Sequence, residues 1–283
     1  MRLATVRTAP GATAAVRIDP DAAVETGYPD VGQLLAQPDW ARRATTADGP
    51  RHPLVGLDHG PLIPHPEKIV CVGLNYRRHI LEMGRQLPEH PTLFAKYPPA
   101  LVGAYDDITL PAASTAMDWE AELAVVIGTP VRHASAGQAA AAIAGYTVLN
   151  DVTARDWQYR TPQWLAGKTF EASTPFGPCL VTPDELDLAA GLSVECEVNG
   201  ETVQHSDSTE LVFDPPRLVA YLSTICTLRP GDVIATGTPG GVGHARTPPR
   251  YLGDGDVLVT RIAGLGECRN ICRAQPAGAT ERR

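Results

Sequence analysis

From Lys68 onward, short apolar runs of strand character follow one another with few helical segments between them, and this order constrains the fold more than any other feature. The runs are KIVCVGLNY, ELAVVIG, YTVLNDV, SVECEVNGETV, GDVIATG and VLVTRIAG, and Asn199-Gly200 inside the fourth signals a hairpin. A doubly wound parallel sheet needs strands and helices in regular alternation, so it is disfavoured. Only two helices are expected here, one after Asp184 and one over Pro216–Leu228, where Leu218, Val219, Leu222 and Ile225 recur at helical spacing. The fold class expected is α+β, β-rich.

The first 65 residues read differently. Strand-like pieces at Leu3–Arg7 and Ala14–Ile18, one amphipathic helix over Val31–Arg43, and prolines at 50, 53, 61, 64 and 66 mark a small N-terminal subdomain (1–65) ahead of the β-rich body (66–283).

Charge and hydropathy exclude several classes of partner. With 32 acidic against 24 basic side chains the net charge is −8, spread along the chain, which argues against a nucleic-acid partner. The longest apolar stretch, Ala139 to Leu149, is broken by Gly145 and is far shorter than the ~20 residues of a membrane span, so no membrane partner is expected. Arg7 and Arg17 interrupt the N-terminal segment where a secretory signal would be continuous, so a cytoplasmic location is expected. The six cysteines are too sparse for a disulfide scaffold, and Cys268 and Cys272 lack a second pair for zinc. Against 21 arginines stand only Lys68, Lys96 and Lys168, so a retained lysine points to a need for a compact or deprotonatable amine.

Within DWEAELAVVIG, strand periodicity sets Glu120 and Glu122 on one face, where two like charges repel unless a cation lies between them; a solvated strand face is the alternative. Asp151 ends the strand-like Tyr146–Asn150, either as the third carboxylate of an oxygen-only Mg²⁺ or Mn²⁺ site or as a helix N-cap. His79 and Glu82 are three apart, which on a helical turn lets the carboxylate orient the imidazole as a water-activating dyad, or leaves an exposed pair. Lys168 follows Gly167, where its ammonium can face a developing oxyanion; Pro162 stands where a P-loop needs glycine. The glycine-rich segment 237–243 is either a tight structural loop or a set of N–H groups that hold a substrate carboxylate.

In order, CVGLNYRRHILEM, PTLFAKYPPALVG, DWEAELAVVIG, GYTVLNDVTARDWQ, GKTFEASTPFGP, VNGETVQHSDSTELVF and RPGDVIATGTPGGVG resemble the fumarylacetoacetate hydrolase family, in particular its acylpyruvase and fumarylpyruvate hydrolase branch, over about 66–273. The resemblance implies a mixed, rolled β-sandwich in a homodimer, with 66–283 as the catalytic domain. It implies Glu120, Glu122 and Asp151 as ligands of Mg²⁺ or Mn²⁺, Lys168 beside the substrate, and His79 with Glu82 as a lid dyad. Arg155, Gln158, Gly237, Thr238 and Pro239 match positions that line the pocket for a small 2-oxo acid. Arg85, Gln86 and Pro88, between Glu82 and Leu93, match no particular substrate class.

The activity implied is hydrolysis of a C–C bond in a 2,4-dioxo acid, releasing pyruvate through an enolate held on the metal. Oxaloacetate decarboxylation and isomerisation or dehydration of a 2-oxo acid are alternatives on the same site. A metal-binding relative without catalysis is the alternative from another class, disfavoured by the presence of all three carboxylates, the dyad and Lys168.

Overall fold

The computed structural model describes residues 1–82 and 84–276, with Glu82 described by its backbone only. In chain order the strands are β1 (Arg2–Ala9), β2 (Ala12–Ile18), β3 (Ala23–Glu25), β4 (Arg51–His52), β5 (Ile69–Gly73), β6 (Thr92–Lys96), β7 (Leu101–Val102), β8 (Ile108–Leu110) and β9 (Met117–Asp118). They continue with β10 (Ala121–Ile127), β11 (Ile143–Asn150), β12 (Thr153–Ala154), β13 (Thr174–Val181), β14 (Ser193–Val198), β15 (Glu201–Asp207), β16 (Val233–Ala235), β17 (Val257–Ile262) and β18 (Gly266–Ala274).

An 11-stranded mixed sheet runs β4-β3-β2-β1-β13-β11-β10-β16-β5-β6, with β7 added alongside β13, and a 5-stranded sheet runs β15-β14-β17-β18-β8. The pair β9–β12 stands apart. Most neighbours are antiparallel, but β16 pairs β5, β18 pairs β8 and β13 pairs β7 in parallel. This is the strand-rich α+β architecture expected from the order of the runs. The N-terminal strands extend the large sheet, since β1 pairs β13 with Leu3 opposite Leu180.

Strand β10 explains why an apolar run marks the centre of the fold. Its Leu123, Val125 and Ile127 enter one core with Val194, Cys196, Leu258 and Ile262 of the smaller sheet. The alternate Ala124 and Val126 enter a second core with Leu34, Leu35 and Ile63. A strand covered on both faces shows no solvent-facing polar alternation, so its one charged residue, Glu122, is itself buried, and each fully buried Leu or Val side chain contributes roughly 1.5–3 kcal/mol.

The helices depart from sequence expectation in ways the residues explain. The single helix expected over Val31–Arg43 is two, α1 (Val31–Leu35) and α2 (Trp40–Thr45). Pro38 stands between them, without an N–H to continue the ladder. After Asp184 there is only a 3₁₀ turn, Pro183–Glu185. Of the others, α3 (Arg77–Glu82), α4 (Ala136–Ala141), α5 (Arg155–Gln158) and α6 (Leu165–Lys168) are short, and α7 (Pro215–Ile225) is capped by Asp214, whose carboxylate accepts from Arg217 N. The helix expected through Leu228 stops earlier, because Leu228 bridges Val131 as an extended residue. The Asn199-Gly200 hairpin joins β14 to β15 as expected. No helix among the described residues is long and apolar enough to cross a membrane.

Candidate metal centre and substrate pocket

Strand register builds the acidic cluster. Ala121 on β10 pairs with Asn150 on β11, and Asp151 N donates to Glu120 O at 2.8 Å, so Glu120 and Asp151 face one another across the ladder. Glu122, two residues along, shares their face. Ligand oxygens of Glu120, Glu122 and Asp151 lie within 4.8 Å of one another, and all three residues are buried.

Cations reach two of these carboxylates. Lys168 Nζ lies 2.7 Å from Glu120 Oε2 and 2.8 Å from Asp151 Oδ2. Lys96 Nζ lies 2.6 Å from Asp151 Oδ1, and an Arg155 Nη lies 2.6 Å from Glu120 Oε1. Burial raises the pKa of Asp151, but Lys168 and Lys96 more than offset this and hold it below the ordinary carboxylate range. Burial likewise opposes the charge on Lys168, yet Asp151 and Glu120 prevail and its pKa is raised. Lys168 is therefore an ammonium at neutral pH, able to donate but not to act as a base.

Glu122 differs. Its Oε2 accepts from Gly237 N–H at 2.8 Å, and no lysine or arginine nitrogen among the described residues pairs with it. Burial, then Asp151 and Glu120, push its pKa well above the usual carboxylate value. A hard divalent cation among the three carboxylates relieves that repulsion, so the donor set fits such an ion; with no His or Cys among the donors it suits Mg²⁺ or Mn²⁺ better than zinc.

Local backbone requirements place these groups. A Cβ on Gly167 would sit 2.4 Å from Gln158 N, so only glycine lets α6 approach α5 closely enough to deliver Lys168. Gly237 has φ +99° and directs its N–H at Glu122. Asn75, fully buried, donates to Phe213 O and Thr236 O and accepts from Phe213 N, which pins the turn into α3 and with it His79.

A cleft of about 250 Å³ opens over the cluster. Glu120, Glu122, Lys168, Arg155, Gln158 and Thr238 line it, and half-buried His79 faces it from α3. Gly237 stands behind Glu122, and Pro239 lines a neighbouring cavity of about 140 Å³ that also meets His79. Asp151 lies beneath the cleft, with both oxygens held by lysines. The structure thus gathers Glu120, Glu122, Asp151, Lys168, Arg155, Gln158, Thr238 and His79. The carboxylate of Glu82 falls outside the described residues, and with it the His79–Glu82 contact.

Sequence reasoning missed two groups. Lys96 was flagged only by the scarcity of lysine. Asp118, in phase with Glu120 and Glu122, accepts from Arg155 Nε at 2.8 Å and from the backbone N–H groups of Gly243 and His244 at 2.7 and 3.0 Å. Through Arg155 it braces Glu120, and through the loop it sets one wall of the cleft.

The chain is similar to known proteins over most of its length. The model of the fumarylacetoacetate hydrolase C-terminal domain matches residues 68–273. An oxaloacetate tautomerase, the mitochondrial Fahd2a of Rattus norvegicus, is 45% identical over 227 residues, covering 80% of this chain and 72% of that protein. The solved fumarylacetoacetate hydrolase of Exiguobacterium antarcticum superposes with a TM-score of 0.86 at 33% identity, over 97% of this chain and 100% of that one. A 5-carboxymethyl-2-hydroxymuconate delta-isomerase from Mycobacterium smegmatis gives a TM-score of 0.82 at 34% identity, over 97% and 100%.

Proposed function

This chain belongs to the fumarylacetoacetate hydrolase family, and on that premise we propose that it is a Mg²⁺- or Mn²⁺-dependent enzyme that interconverts the keto and enol forms of a short 2-oxo acid of the oxaloacetate type. The observation that carries this reading is the buried Lys168 ammonium between Glu120 and Asp151 on the floor of a small cleft. At about 250 Å³ the cleft falls below the roughly 300–1,000 Å³ typical of drug-sized ligands. The 45% identity to an oxaloacetate tautomerase supports the same substrate class.

A divalent cation held by Glu120, Glu122 and Asp151 supplies Lewis acidity at the C2 carbonyl of the acid. The protein does the rest. Lys168 donates a hydrogen bond to the C2 oxygen, where charge builds as the C3–H bond breaks. The His79 imidazole takes the C3 proton while the C3–H electron pair becomes the C2–C3 π bond and the carbonyl π pair moves onto oxygen, which takes a proton from solvent as the His79 imidazolium returns its own to solvent. The reverse sequence returns the keto acid. Arg155 holds Glu120 in place, and Phe94 and Trp164 exclude water from one side of the cleft.

A second reading, hydrolysis of the C3–C4 bond of a 2,4-dioxo acid such as an acylpyruvate or fumarylpyruvate, is favoured by the cavity that also meets His79. Its wall includes Tyr76, fully buried, whose hydroxyl has no hydrogen-bond partner among the described residues. That is space and polarity for an attacking water.

Offering the purified protein, with Mg²⁺ or Mn²⁺, the enol of oxaloacetate, keto oxaloacetate, acetylpyruvate and fumarylpyruvate tests both readings. Loss of enol absorbance faster than with metal alone, slowed about 10²- to 10⁴-fold in His79→Ala, is expected. Cleavage of an acylpyruvate without accelerated tautomerisation puts the hydrolase reading in its place, and CO₂ release from oxaloacetate alone makes the protein a decarboxylase.

A further inference from the structure

The two ends of the cleft differ in burial and charge. Its floor, formed by Glu120, Glu122 and Lys168, is buried, whereas Arg85 and His244 on its lining are exposed and so belong to the rim. A substrate whose 2-oxo acid end sits at the floor directs its other end toward these two side chains.

His244 is held for such a contact. Its backbone N–H donates to Asp118, its ring lies 5.3 Å from the ring of Tyr159, and its Nδ1 is 2.9 Å from the Tyr251 hydroxyl. The Tyr251 contact engages Nδ1 and orients the ring, which leaves Nε2 as the nitrogen for a ligand. Arg85 carries a fixed positive charge, and no carboxylate among the described residues pairs with it. The other cations on the lining, Lys168 and Arg155, are engaged by the acidic cluster and Asp118.

We propose that Arg85 and the Tyr251-supported His244 form a second anion subsite that binds the distal carboxylate of the substrate, so that the enzyme selects 2-oxo dicarboxylic acids over 2-oxo monocarboxylic acids. This deepens the tautomerase reading and rests on it. The subsite fixes the position of C3 relative to His79 by holding the acid at both ends. Asp118 serves both ends, through Arg155 at the floor and the His244 backbone at the rim.

The test follows proton exchange at C3 in D₂O by NMR for oxaloacetate and for 2-oxobutyrate, with the rate for metal alone subtracted. The quantity read is the preference, the ratio of kcat/KM for the dicarboxylic over the monocarboxylic acid. It is expected to fall by about tenfold or more in Arg85→Gln and in His244→Gln, as for a lost charge-assisted hydrogen bond, mainly through KM for the dicarboxylic acid. Tyr251→Phe should lower it in the same direction by less. A preference within twofold of wild type in both Arg85→Gln and His244→Gln overturns the subsite while leaving the tautomerase reading intact. Exchange into neither acid by the wild-type protein overturns the tautomerase reading itself, and the subsite with it.

Discussion

Lys96 Nζ lies 2.6 Å from Asp151 Oδ1, with both side chains fully shielded from solvent. The opposite oxygen of the same carboxylate is taken by Lys168 at 2.8 Å. Two ammonium groups on one aspartate keep it ionised in a site where burial alone would protonate it. Replacing Lys96 by Met removes one of those charges and leaves Asp151 under-compensated. Urea titration is expected to show a loss of about 3–5 kcal/mol, the range for breaking a buried pair. Adding Asp151→Asn to Lys96→Met should recover part of that loss; a purely additive double variant would show that the two residues are not coupled.

Glu122 gives the cleanest test of the metal centre, because it is the cluster carboxylate that no lysine or arginine pairs with among the described residues. Glu122→Gln removes charge that its neighbours repel, so the metal-free protein is expected to unfold at the same or a higher temperature than wild type. Mn²⁺ affinity, read by calorimetry, should fall at least tenfold. Unchanged Mn²⁺ affinity would remove Glu122 from the donor set.

Gly237→Ala addresses the same carboxylate from its hydrogen-bond donor. At φ +99° a side chain is strained, and a Cβ there would lie 2.8 Å from Val72 O. A stability loss of roughly 1–3 kcal/mol is expected. As the loop shifts to relieve the contact, the N–H moves off Glu122 and Mn²⁺ affinity should weaken as well. Full stability and full affinity in this variant would show that the loop tolerates the Cβ and that its N–H does not position Glu122.

His59 sets a pH dependence remote from the metal. Burial lowers its pKa below the ordinary value of 6.5, with backbone contact at Pro178 and the charge of Asp58 opposing, and its Nδ1 has no hydrogen-bond partner among the described residues. A base with a lowered folded pKa is neutral in the native state while the unfolded chain takes up a proton near 6.5. Stability contributed by the neutral ring is therefore present above that value and lost as pH falls toward the folded pKa. His59→Phe keeps an aromatic ring against Tyr105, 5.6 Å away in the native protein, and cannot titrate. Urea midpoints at pH 7 and pH 5 should show the variant gaining on wild type at the lower pH. A difference independent of pH would show that His59 does not titrate differently in the folded and unfolded chains.

The sequence by itself determined the strand-rich class, the Asn199-Gly200 hairpin and the shared face of Glu120 and Glu122, because each follows from periodicity or turn chemistry within a few residues. It overestimated the helix over Val31–Arg43 because the apolar spacing continues through Pro38, where the backbone cannot. Only the tertiary structure decided which charges meet. Lys96 is 55 residues from Asp151, Arg155 is 37 from Asp118, and the N–H groups that fix the cleft wall come from a loop 125 and 126 residues beyond Asp118. A lysine in a sequence has no sign of purpose. Whether it is a solvated surface charge or the buried counter-ion of a metal ligand depends on which carboxylate the sheet register brings within 3 Å of it and on how completely water is excluded, and both are properties of the folded whole.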